Sequence, residues 1–258
     1  MSTALITGAS GGIGKAFAEE LAKQNINLVL VARSEEKLNL LAKHLQEKHN
    51  IQVEIIIQDL TKPGSTDAVF DAVTAKGLTI DMLINNAGFG DYGDFAERDG
   101  ERQINMVQLN IMTLVDLTHK FIQGMRERRS GSVINISSLS AFQPIPYLSV
   151  YSASKAFILH FSQALWAENR QYGVRVLVVC PGPVETNFFV EAQIPPALAG
   201  RTNKISTSDE VVRETLKALE RGESTVVIGG FATHFISNAS RFVPRKTLLS
   251  LLEKQFKT

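Results

Sequence analysis

Short apolar runs rich in β-branched residues recur along the chain at 4–7 (ALIT), 27–31 (NLVLV), 53–57 (VEIII), 81–85 (DMLIN), 132–137 (SVINIS), 174–179 (VRVLVV) and 225–228 (TVVI). Each has the length of a strand, and each is too continuously apolar for a sheet with one wet face. Longer segments with helical periodicity separate them, at about 13–24, 35–48, 65–76, 101–128, 151–171 and 208–221. This alternation predicts an α/β, Rossmann-type fold: a doubly wound parallel sheet of seven strands, with right-handed crossover helices on both faces. No repeat, low-complexity tract or linker interrupts the 258 residues, so one domain is expected over 1–258. The least regular stretches, 89–100, 139–149 and 187–206, all follow strands. In open parallel sheets ligands bind beyond the carboxyl ends of the strands, so substrate contacts are expected there, with 187–206 as a lid.

Charge adds mainly exclusions. With 27 basic and 26 acidic residues the formal charge is +1, which gives no global attraction to nucleic acid or to an anionic membrane. The single cysteine, Cys180, has no internal disulfide partner and fits a reducing compartment. The chain opens without a basic or long apolar leader, and no run approaches the ~20 apolar residues of a membrane span, so a cytoplasmic protein is expected. Neither Trp166 nor the five histidines have a spacing that points to a metal, and no metal site is expected.

The first candidate for chemistry is LITGASGGIGKAF, which sets Gly8, Gly12 and Gly14 between the first strand and the first helix. A tight strand-to-helix turn, close backbone approach to a pyrophosphate, and a helix N-terminus offering free N–H groups all call for glycine here. The spacing differs from the G-x-G-x-x-G fingerprint, so the match is to the mechanism; a glycine-rich turn can also be only a turn.

Six pieces in order, TGASGGIG (7–14), NNAG (85–88), Asn110 in QLNIM, INISS (134–138), YSASK (151–155) and PGPVET (181–186), resemble the short-chain dehydrogenase/reductase family in its single-domain form, over most of the chain. The resemblance implies a bound NAD or NADP and hydride transfer between the nicotinamide and a carbonyl or alcohol. It puts the proton donor and acceptor at Tyr151, its lysine at Lys155, the carbonyl-orienting serine at Ser138 and a fourth catalytic member at Asn110. Ser138 is preferred to Ser137 for its family spacing of thirteen residues before Tyr151, with Ser140 a less favoured stand-in. It also implies cofactor contacts from Gly8, Ser10, Gly11, Gly12, Ile13 and Gly14, from Asp59 and Leu60, from Asn86, Ala87 and Gly88, from Tyr151 and Lys155, and from Pro181, Gly182, Val184 and Thr186. Asn85 is expected to stabilise the sheet.

Moving a phenol from its ordinary pKa near 10 toward neutrality takes on the order of 4 kcal/mol of preferential phenolate stabilisation. A neighbouring ammonium acts in that direction. Positions four apart on a helix face the same way, so Tyr151 and Lys155 can enter one cleft. By themselves the letters Y-x-x-x-K favour a solvated helix face; Ser138 and Asn110 in register reverse that in favour of catalysis.

After the second strand stands ARS (32–34) in place of an acidic residue that would accept from a free 2′-hydroxyl. Arg33 can fork onto phosphate oxygens and Ser34 can add a hydroxyl, which points to NADP(H), although Ser34 also fits a helix N-cap. Unlike many NADP-using relatives, the chain has Ser10 and Gly11 where a second basic residue would stand. Asp59 fits either adenine contact or a turn role.

Phe89, Tyr92, Phe142, Ile145, Tyr147, Phe188, Phe189, Val190, Ile194 and Leu198 in the three loops suit an apolar carbonyl or secondary alcohol, and could equally pack the lid. The tail, 232–258, reads as an amphipathic helix. Within 240–257 it has five basic residues against one acidic. Such a helix covers its own domain or a subunit interface more often than a membrane surface. The resemblance also implies a homodimer or homotetramer. Within the enzyme class, 3-oxoacyl, steroid and general ketone or aldehyde reduction stay open. The competing class is a nucleotide-sensing or scaffold protein without turnover.

Overall fold

A computed structural model of the chain describes residues 2–199, 205–230 and 243–257. Its parallel strands are β1 (Thr3–Thr7), β2 (Asn27–Ala32), β3 (Val53–Ile57), β4 (Met82–Asn85), β5 (Gly131–Ile136), β6 (Val174–Pro181) and β7 (Thr225–Ile228). They form one sheet in the order β3-β2-β1-β4-β5-β6-β7. The chain winds outward from β1 to β3 and then returns to start β4 on the other side of β1. The carboxyl ends of β1 and β4 therefore flank a crevice, the switch point at which such sheets bind ligands.

Alternation along each strand explains the continuously apolar runs. Ala4 and Ile6 face one layer with α1 (Gly12–Lys23), α2 (Glu35–His49) and α9 (Ser208–Glu220), whereas Leu5, between them, joins the opposite layer with α3 (Ser65–Ala75) and α5 (Leu114–Glu127). Each fully buried aliphatic side chain stabilises the fold by about 2 kcal/mol relative to exposure. At α2, Ser34 accepts from the Lys37 N–H, Glu35 and Glu36 suit the positive end of the dipole, and Asn50 closes the helix in the left-handed region.

A polar ladder crosses this apolar interior. Asn85 Nδ2 donates to Thr118 Oγ1 and to Asn135 Oδ1, both at 2.9 Å, and Asn135 Nδ2 donates to Ser162 Oγ at 2.9 Å. It ties β4 and β5 to α5 and to α6 (Ser149–Asn169). Asn85 thus braces the sheet.

The structure departs from sequence periodicity in the predicted helix 101–128. It divides into α4 (Gly100–Val107) and α5, with a wider π turn at Gln108–Thr113 between them. Side chains hold this bulge: Asn110 exchanges hydrogen bonds with the Phe89 main chain, at 3.1 and 3.0 Å, and Thr113 Oγ1 donates to the Leu60 carbonyl at 2.8 Å. Such bulges recur at functional sites. The lid region contains the short helices α7 (Phe188–Glu191) and α8 (Pro196–Ala199), and 200–204 lie outside the described residues. Of the expected tail 232–258, α10 spans Arg245–Phe256 behind Pro244, and 231–242 lie outside the described residues. No described helix is long and apolar enough to cross a membrane.

Candidate active site

The carboxyl ends of the strands open into a continuous cleft of ≈1930 Å³. Its first wall is the glycine turn, where Gly8, Ser10, Gly11, Gly12 and Ile13 line the space. The turn presents bare backbone: Gly12 has φ +52°, a Cβ there would come within 3.1 Å of Thr186 Cγ2, and a Cβ at Gly11 would have nothing within 4 Å. Gly14 lies behind the wall. A side chain there would collide with the Gly8 carbonyl oxygen, so this glycine lets α1 pack against the end of β1 instead of meeting a ligand.

Arg33 and Ser34, beyond β2, and Asp59 and Leu60, beyond β3, line the far end. Burial works against ionisation of Asp59, but the Thr61 N–H and hydroxyl, 3.0 and 2.8 Å from its Oδ1, outweigh it, with help from Arg33 and Lys62, and hold the carboxyl below its usual range. Asp59 therefore forms the turn and faces the cleft at once. Lys37 and Lys62 also line this end. Sequence reasoning did not single them out, although Lys37 stands four residues after Arg33, at the start of α2. Asn86, Ala87 and Gly88 line the middle. Asn86 Nδ2 donates to the Thr7 carbonyl at 2.9 Å, which fixes the end of β4 against the glycine turn. Pro181, Gly182, Val184 and Thr186 close the other side. Thr186 Oγ1 accepts from the Phe188 N–H at 3.2 Å, and among the described residues its hydroxyl proton has no acceptor.

Ser138, Tyr151 and Lys155 meet at the inner end, where Ser138 Oγ donates to Ser140 Oγ at 3.2 Å and its hydroxyl is near enough to the Tyr151 phenol to favour ionisation. Ser137 is spent elsewhere, its hydroxyl donating to the Lys155 carbonyl at 2.7 Å. Lys155 Nζ donates to the Ile136 carbonyl at 2.9 Å and sits 5.7 Å from the centroid of the Tyr151 ring. Both side chains are dry, with Tyr151 8% and Lys155 6% exposed. Burial accordingly pushes the phenol up to about 12, against the Ser138 hydroxyl, and pushes the ammonium down to about 8. Removal of water from both groups dominates in the protein without its cofactor, whereas the expected shift toward phenolate also draws on the positive nicotinamide of the oxidised cofactor. The protein alone holds Tyr151 as a protonated donor.

Asn110, 1% exposed, does not line the cleft. Its Nδ2 reaches Ser154 Oγ at 3.1 Å as well as the Phe89 carbonyl, and Ser154 Oγ donates to the Tyr151 carbonyl at 2.7 Å. The side chain thus joins the π turn to the helix carrying Tyr151. A Cβ at Gly88 would stand 2.8 Å from Asn110 Oδ1 and 3.6 Å from Lys155 Nζ, which puts both residues against one glycine.

The loop after β4 gathers the outer walls. The Asp91 carboxylate is fully buried; Arg98 Nε and Arg102 Nε both donate to it at 2.8 Å, and Gln103 Nε2 at 2.5 Å. Burial opposes its charge, but the two guanidinium groups hold the carboxyl below its usual range. Arg98 continues to Gln193 Oε1 at 2.9 Å and Arg102 to the Glu191 carbonyl at 2.7 Å, so a buried anion anchors the lid. Among the described residues, no cluster of histidine, cysteine, aspartate and glutamate could hold a metal ion.

Residues 2–195 match the short chain dehydrogenase family. The chain is 34% identical over 257 residues to the 17-beta-hydroxysteroid dehydrogenase type 3 of Mus musculus, an alignment covering 98% of this chain and 80% of the mouse protein. It is 38% identical over 191 residues to the very-long-chain 3-oxoacyl-CoA reductase of Anas platyrhynchos, covering 72% of this chain and 60% of that protein. Among solved structures, a short-chain dehydrogenase from Sphingobium yanoikuyae in complex with NADPH superposes with a TM-score of 0.84 at 31% identity, covering 97% of this chain and 95% of the other.

Proposed function

Because the chain belongs to the short-chain dehydrogenase family, we propose that it is an NADP(H)-dependent oxidoreductase that interconverts an apolar carbonyl compound and its secondary alcohol. One observation carries this reading: Ser138, Tyr151 and Lys155 converge at the inner end of a cleft whose other walls include bare glycine backbone and Arg33, with Tyr151 and Lys155 dry and Lys155 Nζ 5.7 Å from the Tyr151 ring centroid. The residues fit a dinucleotide. Gly11 and Gly12 leave room for a pyrophosphate against the N-terminus of α1, and Arg33, with Lys37 and Lys62 nearby, offers cations to a 2′-phosphate. When bound, the nicotinamide supplies or takes the hydride.

The protein's own residues handle the oxygen. In reduction, Ser138 and Tyr151 donate hydrogen bonds to the carbonyl oxygen, and Tyr151 passes its proton to it as negative charge develops. Lys155, positively charged below its value of about 8, stabilises the phenolate left behind. Asn110 positions the helix carrying Tyr151. In oxidation the same groups work in reverse. The described part of the expected lid, from 187 to 199, covers the inner end of the cleft, and Phe188, whose ring centroid lies 5.2 Å from that of Tyr151, shields the reacting atoms from water. The apolar wall of Ile145, Leu148, Phe188 and Ile194, and the mouse and duck relatives named for steroid and acyl substrates, support an apolar substrate. The buried Cys180 supports a reducing, cytoplasmic setting.

Steady-state rates with NADPH and NADH on a ketone panel test the cofactor reading. NADPH is expected to have the higher kcat/KM, and Arg33→Ala to narrow the gap by about tenfold, the size of one charge-assisted contact. An unchanged preference in Arg33→Ala would remove the arginine from the argument.

A further inference from the structure

The part of the chain beyond the family match, residues 196 onward, supplies α10, which lines the substrate end of the cleft. Leu248, Leu252 and Phe256 of α10 follow one another at intervals of four and so lie on one face. That face is turned inward: Leu248 and Leu252 are 9% and 5% exposed, although Arg245, Lys246, Glu253 and Lys254 around them are solvated. Leu252 and Phe256 line the cleft, and Phe256 packs in one apolar cluster with Tyr92, Ile145, Leu148 and Tyr151 itself. The helix is also tethered. The Tyr92 phenol donates to the Phe256 carbonyl at 2.5 Å, and the Tyr92 N–H donates to the Ala192 carbonyl of the lid at 2.8 Å.

We propose that Leu252 and Phe256 form the wall that sets the size of substrate the cleft accepts, with Tyr92 holding that wall in place. This rests on the carbonyl-reductase reading above. The substrate class is a ketone or aldehyde whose body is apolar and uncharged where it meets α10, because the wall offers it a leucine and a phenylalanine and no charge.

The test compares kcat/KM for a bulky diaryl ketone and a short-chain methyl ketone in the parent and three variants, with NADPH binding by fluorescence as a check on folding. Phe256→Ala is expected to raise the bulky-to-small ratio by at least ~10-fold, the scale on which apolar pockets discriminate by size. Leu252→Phe is expected to lower it, and Tyr92→Phe, which releases the tether, to raise it less than Phe256→Ala does. Ratios unchanged within about twofold in variants that still bind NADPH would overturn the proposal, given that discrimination scale. A second readout does not need turnover: the emission of an environment-sensitive acylnaphthalene ketone. In the parent it should be blue-shifted on binding, and in Phe256→Ala shifted back toward its value in water. An absent or insensitive shift counts against the wall. A parent that reduces no ketone yet shows the shift would reject the reductase reading and keep the wall.

Discussion

Tyr151 and Lys155 are residues whose surroundings have taken water away from both. The folded protein holds Lys155 at about 8, below the 10.5 of an ordinary lysine. Between those values the unfolded chain binds more protons than the native one, so Lys155 destabilises the fold at low pH and this penalty is relieved as pH rises. Tyr151 acts only above pH 10, with the opposite effect, since its value is raised to about 12 and its contribution is lost as pH climbs toward that. Denaturant melts of the cofactor-free protein should therefore show stability gained from Lys155 between pH 8 and 10, and Lys155→Met should lack that gain. An equal slope in parent and variant would contradict the burial described here. The sequence made the pair legible through its company, Ser138 upstream and the glycine turn. It could not report dryness, because burial depends on Phe188, Ile145 and Leu148, which the lid and loops bring from distant positions.

At the scale of elements, the strands and most helices follow directly from periodicity, but the two devices that shape the site do not. The π turn at Gln108–Thr113 hides inside a continuous helical pattern, because what opens it is Asn110 bonding Phe89 and Ser154 across the fold. The lid latch is equally silent in sequence. DYGDFAERDGERQ looks like a solvated charged loop, and only the fold turns Asp91 inward onto Arg98 and Arg102. Removing one partner from such a buried ionic node costs about 3 kcal/mol. Asp91→Asn should lose about that much in a urea melt, become more readily cleaved by protease within 187–199, and show a raised KM for ketone with NADPH affinity unchanged. Proteolysis and KM equal to the parent's would mean that Asp91 is not what holds the lid.

For the whole molecule, fold and family were readable because glycine turn, NNAG, serine, tyrosine and lysine report on one crevice from points spread along the chain. Assembly was carried by resemblance alone, and three exposed apolar side chains offer a place to test it. Ile104, Met112 and Phe157 are 69%, 55% and 40% exposed on α4, the π turn and α6, and Phe157 stacks on Phe161 at 5.7 Å. Exposed apolar side chains of this kind are candidates for burial between subunits if they form one patch. Light scattering is expected to give a dimer or tetramer for the parent and one chain for Phe157→Glu; a monomeric parent would reject the reading. Hydride transfer with the proton handled by Tyr151 is tested by following the hydride itself. NADPH carrying deuterium at the transferable C4 position should deliver it to the carbinol carbon of a reduced apolar ketone. Tyr151→Phe should slow that delivery by about 10²–10⁴-fold while binding NADPH as tightly as the parent. Reduction without label at that carbon, or an undiminished rate in Tyr151→Phe, would contradict the account.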